Sequence, residues 1–453
     1  MEERKYYPLN ESQKVMFLNL SFSYKKAIVN ICAAVDLFSE IDPDVMLKAM
    51  KTSLRRNKSA GYRITKRDKQ IVQYCVENEE PEHINLVDLS DKNDAHREKI
   101  YNKWSSTPFP NGTKDTQPYR LNLVKKDNGF YTIYLCVSHI FFDAYAVMRM
   151  LNDVFAVYHA MLKDEPLPEC NIDSLPAYEI DYKYGETDKY KRDYKNWDET
   201  VLGTEPHLTT IGGLGSSEFK KGKNSGTTLR LWQIKGNQIN LPMKKELVDK
   251  INTYALERNM SPQNLFYLAI RTYLSKVCGN QEDVAIMDNL ARRGSLVQKN
   301  GGGTLVNVVM LRTQIPNTTT FEEGCSIFNK TCREAYRHGN MPYAHVINMY
   351  SQKYQVGPMD GYTAFSTTYQ PVIGVDTGDI KYSFRRLSNG ASTLPVYLTI
   401  MPKDNFSGEL LFNYEYSTGF TKEENIYKVH EFITEFLTKA IENPQATLEE
   451  LMK

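Results

Sequence analysis

The sequence predicts a mixed α/β protein built as two halves joined by a long connection. Three observations carry this. The chain has 453 residues, more than one hydrophobic core keeps organising, so two lobes are expected. Segments of period-two and period-3.6 hydrophobicity alternate through both halves. Between them, around residues 165–228, the composition turns to Pro and then to Gly, Ser and Lys. Such a composition cannot bury a core and reads as a mobile surface connection.

In the first half, Glu11 to Leu20 reads as a helix, Ala27 to Leu37 as a strand and Asp44 to about Arg55 as a second helix. The polar stretch Val87 to Asp94 leads into another helix. Two strands follow, Tyr119 to Val124 and Tyr131 to Val137, around Lys126-Asp127-Asn128-Gly129, a hairpin turn in which Asn and Gly tolerate positive φ. The next helix carries Val147, Met150, Leu151, Val154, Phe155 and Tyr158 on one face, the stripe of a core-facing helix. Pro166 and Pro168 stop it, and a short helical piece runs to Leu202-Gly203. Thr209 to Ser217 and Lys220 to Thr228 complete the connection.

The second half opens with a strand at Leu229 to Gln233 and a helix from Lys244 to about Asn259. Ser261-Pro262 supplies an N-cap with Pro at the first helical position, and Gly279 ends that helix. Strands are expected at Val284 to Met287, Thr304 to Leu311 and Thr363 to Gln370, and a last helix from about Lys422 to Asn443. Gly301-Gly302-Gly303 has neither the ending nor the spacing of a phosphate cradle and reads as a turn between strands.

Composition narrows the function classes. A net charge of +1 argues against a nucleic-acid binder, which needs a basic surplus to neutralise phosphates. No apolar run reaches the length of a membrane span, and the first residues lack a signal-peptide core. Seven scattered cysteines without a CxxC pair suit reduced thiols in a cytoplasm. The eight histidines lack metal-ligand spacing, so no metal site is expected. No GxSxG elbow supports hydrolase chemistry.

One segment carries the chemistry: Ser138-His139-Ile140-Phe141-Phe142-Asp143-Ala144. It leaves the strand at Tyr131 to Val137 and opens the amphipathic helix. A His at the end of a buried strand is held in one pose, and a neutral imidazole nitrogen accepts a proton near pH 7. The carboxylate four residues on can fix the loop. The bland alternative is a structural histidine beside Asp143 acting as N-cap of the helix that follows.

The same seven residues resemble the HHxxxDG signature of the condensation domains of nonribosomal peptide synthetases. Other segments resemble that family in the same order along the chain. Tyr7-Pro8-Leu9 through Phe17-Leu18 is similar to the family's YPLSxAQxRxWFL, and Leu54 to Arg63 sits where the family has RHExLRTxF. Tyr178 to Tyr182, Trp197 and Leu202-Gly203 resemble YxDYAxW…YWxxxLxG. Ala291-Arg292-Arg293 stands for the ANR tripeptide, Gly303 to Arg312 for GxFVNTxxxR, and Leu410 to Phe420 for GxLEYNTDLF.

The resemblance implies two chloramphenicol-acetyltransferase-like lobes in a V-shaped pseudo-dimer with a central tunnel. Residues 1–175 would form the N-terminal lobe, 176–228 the connecting segment and 229–453 the C-terminal lobe. His139 would be the catalytic histidine, as general base or as positioner of the acceptor amine. Ser138, Asp143, Ala144, Arg293 and Asn307 would support it, with Asp143 paired to Arg293 rather than Arg292. Ser366, Thr368 and Gln370 would line the substrate tunnel.

No permanently bound cofactor is implied. The donor would be a thioester on the phosphopantetheine arm of a peptidyl or acyl carrier protein, or on CoA. The acceptor would be a small-molecule amine or an aminoacyl group. The product would be an amide in nonribosomal peptide or lipopeptide biosynthesis. The chain would act as a monomer or as part of a larger synthetase.

The motif departs from the family at both ends. Ser138 cannot act as a base, although its hydroxyl can donate and accept. Ala144 lacks the backbone freedom of the family's Gly. SHxxxD also resembles the form found in peptide-cyclising terminal domains, and HxxxD alone is shared with free-standing acyl-CoA-dependent O- or N-acyltransferases. A non-catalytic module that binds carrier proteins is the remaining alternative.

Overall fold

The computed structural model describes residues 4–110, 114–214, 234–357, 362–363, 365–370 and 375–453. Three sheets organise them. The first lobe is built on a five-stranded sheet in the order Tyr382–Leu387, Asn30–Leu37, Tyr131–Ser138, Tyr119–Lys125, Ile84–Asp88. The second is built on a six-stranded sheet in the order Asn307–Gln314, Asp283–Leu290, Phe365–Tyr369, Val396–Pro402, Leu410–Ser417, Gly236–Met243. A small sheet joins Tyr7–Pro8 to the hairpin Gln70–Cys75 and Tyr62–Arg67.

Strand alternation decides what each face meets. On the five-stranded sheet, Ala33, Val35, Ile133, Leu135 and Val137 pack under the helices Pro43–Arg56 and Ala144–Leu162. The opposite face, with Cys32, Ala34, Tyr134 and Cys136, meets Tyr101 and Trp104 of the helix Asp94–Ser105. On the six-stranded sheet, Val396, Leu398, Ile400, Phe412 and Tyr414 face a helical layer that includes Pro262–Val277, Phe321–Arg337 and Glu423–Glu442. The alternate residues of those strands point away from that layer, toward the first lobe.

The two lobes share a strand. Tyr382–Leu387 comes from the second half of the chain yet pairs antiparallel with Asn30–Leu37, from Tyr382 opposite Leu37 to Leu387 opposite Cys32. Met401 and Leu411 of the six-stranded sheet join Phe384 and Tyr382 in the first lobe's core. Arg386 donates to Thr399 Oγ1 at 2.6 Å and pairs with Glu415 at 3.1 Å, while Gln238 donates to the Arg386 carbonyl at 2.8 Å. The lobes are therefore tied at one edge by a β-ladder and a partly buried cation.

Several expectations shift. The first strand starts at Asn30, because Lys26–Val29 closes into a 3₁₀ turn. Part of the expected surface connection is core instead. Thr209 and Thr210 are buried, and Ile211 packs with Trp197 and Leu202 in the second lobe. A Gly-rich flank hid one apolar anchor. The expected strand Leu229 to Gln233 and the Gly/Ser/Lys-rich residues 215–228 lie outside the described residues; the strand that is described there is Gly236–Met243. The triple glycine lies between the short helix Leu296–Asn300 and a strand, not between two strands. Gly303 has φ +93°, and a Cβ there would stand 2.3 Å from the Tyr178 hydroxyl.

Candidate active site

His139 sits one residue past the end of its strand, and each of its backbone groups is tied. Its N–H donates to Val29 O at 2.7 Å, and its carbonyl accepts from Thr304 Oγ1 at 2.7 Å. Its Nδ1 lies 2.9 Å from the Phe142 carbonyl. A carbonyl oxygen only accepts, so Nδ1 carries the hydrogen and Nε2 keeps its lone pair. Burial holds the imidazole below its ordinary pKa and the Arg386 guanidinium adds to this, while Asp143 and the Phe142 carbonyl oppose it. The neutral form is thereby favoured, and Nε2 makes no hydrogen bond with a described residue.

Both oxygens of Asp143 are engaged. Oδ1 caps the helix Ala144–Leu162 by accepting from Ala146 N at 2.9 Å, and Oδ2 accepts from Leu305 N at 2.9 Å. Arg293 Nη2 spans both, at 2.9 and 2.8 Å, and also reaches Gly303 O at 2.7 Å. The pair is almost wholly buried, so each charge depends on the other. Arg293 Nη1 holds Gln298 O at 3.1 Å, and the guanidinium lies over the Tyr145 ring at 4.8 Å. One carboxylate thus ties the His139 loop, a helix start and the strand approach at Leu305.

The neighbouring Arg292, at φ +52°, turns the other way. It donates to Leu305 O at 2.7 Å, to Asp181 at 2.7 Å and to Ser12 Oγ at 3.1 Å. Adjacent arginines therefore clamp the same segment from both sides, one toward Asp143 and one toward Asp181. The sequence names Arg292 only as the arginine not paired with Asp143, Asp181 only within a family-like segment, and Arg386 not at all. The doubled arginine was the available signal for the first two, whereas nothing local marks Arg386.

The remaining expected residues divide. Ser138 is fully buried, and its Oγ has no hydrogen-bond partner among the described residues. Ala144 is exposed and simply begins the helix. Asn307 spends its side chain on scaffold, donating to Gly339 O and Met341 O at 2.9 and 2.6 Å and accepting from Tyr343 N at 3.0 Å. Ser366 and Thr368 occupy the face of the six-stranded sheet turned from its helices, in register with Tyr397 and Thr399. Gln370 follows that strand and donates its backbone N–H to Ile400 O at 2.8 Å.

No helix of the described residues is long and apolar enough to cross a membrane. Among them, no group of three or more His, Cys, Asp or Glu could hold a metal ion.

Fold and site together define a class: two-lobed α/β proteins that hold an HxxxD histidine at the end of a strand where the lobes meet. The chain matches the Condensation domain family across residues 3–452, and it belongs to that family. It is 22% identical over 453 residues to surfactin synthase subunit 1 of Bacillus subtilis (strain 168), covering 98% of this chain and 12% of that protein. It is 21% identical over 457 residues to bacitracin synthase 1 of Bacillus licheniformis, covering 99% of this chain and 8% of that protein. The chain thus spans about an eighth or less of the length of these relatives. Among solved structures, the first condensation domain of the CDA synthetase superposes with a TM-score of 0.84 at 15% identity, over 98% of both chains. A starter condensation domain of rhizomide synthetase, in complex with C8-CoA, gives 0.80 at 15% identity, over 98% of this chain and 97% of that one. Both carry the same mixed α/β fold.

Proposed function

We propose that this chain is an amide-forming acyltransferase in which His139 serves an acceptor amine. The donor is an acyl or peptidyl thioester on the phosphopantetheine arm of a carrier protein, and the acceptor is an amine or aminoacyl group. The observation that carries this reading is the fixed tautomer of His139. Its Nδ1–H is spent on the Phe142 carbonyl, which leaves Nε2 open to accept a proton.

The balance of the step is simple. The amine nitrogen attacks the thioester carbonyl, the new C–N bond forms and the C–S bond breaks. The amine's proton passes to Nε2 and on to the departing sulfur, so the thiol leaves on the arm and the imidazole returns to its neutral form. Asp143, Arg293 and Arg292 act as positioning residues, since their polar atoms are engaged with backbone and with one another. Family membership supports the carrier partner and the amide product.

The test is direct. Intact protein is incubated with an aminoacyl thioester, either carrier-bound or on CoA, together with a panel of amines, and products are read by mass. Amide from the carrier-bound donor, reduced about 10²- to 10⁴-fold in His139→Ala, is expected. Unchanged turnover in that variant removes His139 from the mechanism. Product from CoA alone replaces the carrier by CoA as the donor, and carrier binding with no product from either donor makes the chain a binding module.

A further inference from the structure

The face of the six-stranded sheet turned toward the first lobe is unusually polar. From strand to strand, Asn289, Thr368 and Thr399 stand in one row, and Met287, Ser366 and Tyr397 in the next. At one end the row is covered, since Arg386 of the crossing strand binds Thr399 and Glu415. At the other end Met287 is buried beneath the Tyr343 hydroxyl, and Asn289 is partly exposed. Its orientation follows from Asp288, whose carboxylate faces the helical layer and accepts from Tyr267 and Tyr336 at 2.7 Å each. Adjacent strand residues point to opposite faces. Asn289 also lies four residues before Arg293, which holds the His139 loop.

The Asn289 amide is held in one sense. Its Nδ2 donates to Ser366 Oγ at 3.0 Å and to Thr367 O at 2.9 Å. Thr367 O is a carbonyl and can only accept, so the nitrogen is fixed there and the amide cannot be flipped. Both Nδ2 hydrogens are used. Asn289 Oδ1 takes no hydrogen bond from a described residue, and on this partly exposed side chain it is a preset acceptor.

We propose that Asn289 is a specificity residue whose Oδ1 receives an N–H of the bound acyl chain, so that the site favours aminoacyl or peptidyl groups over alkyl ones. A fatty acyl chain has no N–H to offer and would leave Asn289 Oδ1 desolvated without compensation. This deepens the condensation reading and rests on it for the identity of the substrate. The geometry of the Asn289 amide stands apart from that reading.

The experiment changes one atom. Two stable pantetheine thioethers are compared by calorimetry on the intact protein. One carries an N-acetylalanyl group, and the other the O-acetyl-lactyl group that replaces N–H by oxygen. Wild type binds the N–H form about tenfold or more tightly, and Asn289→Leu binds the two alike. Binding of an octanoyl pantetheine thioether, which leaves Oδ1 uncompensated in wild type, is retained or tightened in the variant and reports that it is folded. Equal binding of the pair by wild type, a preference that survives in Asn289→Leu, or no binding of either overturns the assignment. Loss of amide turnover with the N–H preference intact would sink the condensation reading and leave this one standing.

Discussion

His139 is poised by its neighbours rather than by its own chemistry. The Phe142 carbonyl chooses its tautomer, burial keeps it neutral, and the Arg386 guanidinium adds to that bias. The proposed mechanism requires the neutral form, so turnover should be flat through neutral pH and fall only when acid protonates Nε2, below the ordinary histidine range. Arg386→Met removes a positive charge that opposes this protonation, so the acid limb of the pH–rate profile should move to higher pH. An unmoved limb would show that Arg386 does not bear on His139. Ser138 behaves differently. Its buried hydroxyl has no partner among the described residues, so it is a cost in the fold. Ser138→Ala should match or exceed wild type in urea unfolding, by up to about 1 kcal/mol, and should keep turnover. A large loss of turnover with stability intact would give the hydroxyl a part in the chemistry.

At the scale of elements, the site is a junction of a strand end, a helix start and the segment Gly303–Leu305. The Asp143–Arg293 pair fastens all three. Removing either partner leaves a buried charge alone. Arg293→Ala and Asp143→Ala should each cost about 3–5 kcal/mol in urea unfolding, and the double variant should cost well below their sum. Additive losses would mean that the two residues act separately.

Much of this junction was legible in the sequence. Arg293 is named by the family resemblance, whereas the period-two run before His139 and the apolar stripe after Ala144 are local signals. The crossing strand Tyr382–Leu387 was not. Its Arg385 and Arg386 make it polar by composition, and only partners more than three hundred residues away show that it is a strand. The hairpin at residues 62–75 was hidden by its own charged and amide side chains. The roles of Asn289 and Arg386 are tertiary facts, set by which strands lie side by side.

Across the whole molecule, one sheet buries a carboxyl that has no cationic partner among the described residues. Burial pushes Asp288 up to about 6, against the opposing hydrogen bonds from Tyr267 and Tyr336. A carboxyl whose pKa rises on folding favours the fold when protonated. Its contribution is fully present below the ordinary carboxylate value and is lost as pH rises through about 6. Between pH 4 and pH 7 this group should cost the fold on the order of 3 kcal/mol. Asp288→Asn should remove that dependence, so unfolding curves of variant and wild type should diverge as pH rises through this window. Parallel curves would mean that the carboxyl is not desolvated in the folded chain.

The central claim is that His139 is neutral at pH 7, with its proton on Nδ1 and Nε2 bare. Two-bond ¹H–¹⁵N correlation spectra of histidine-labelled protein, assigned by His139→Ala, read this directly. The account predicts the Nδ1–H tautomer at neutral pH, with protonation only below the ordinary histidine range. A hydrogen on Nε2, or an imidazolium at pH 7, would contradict it.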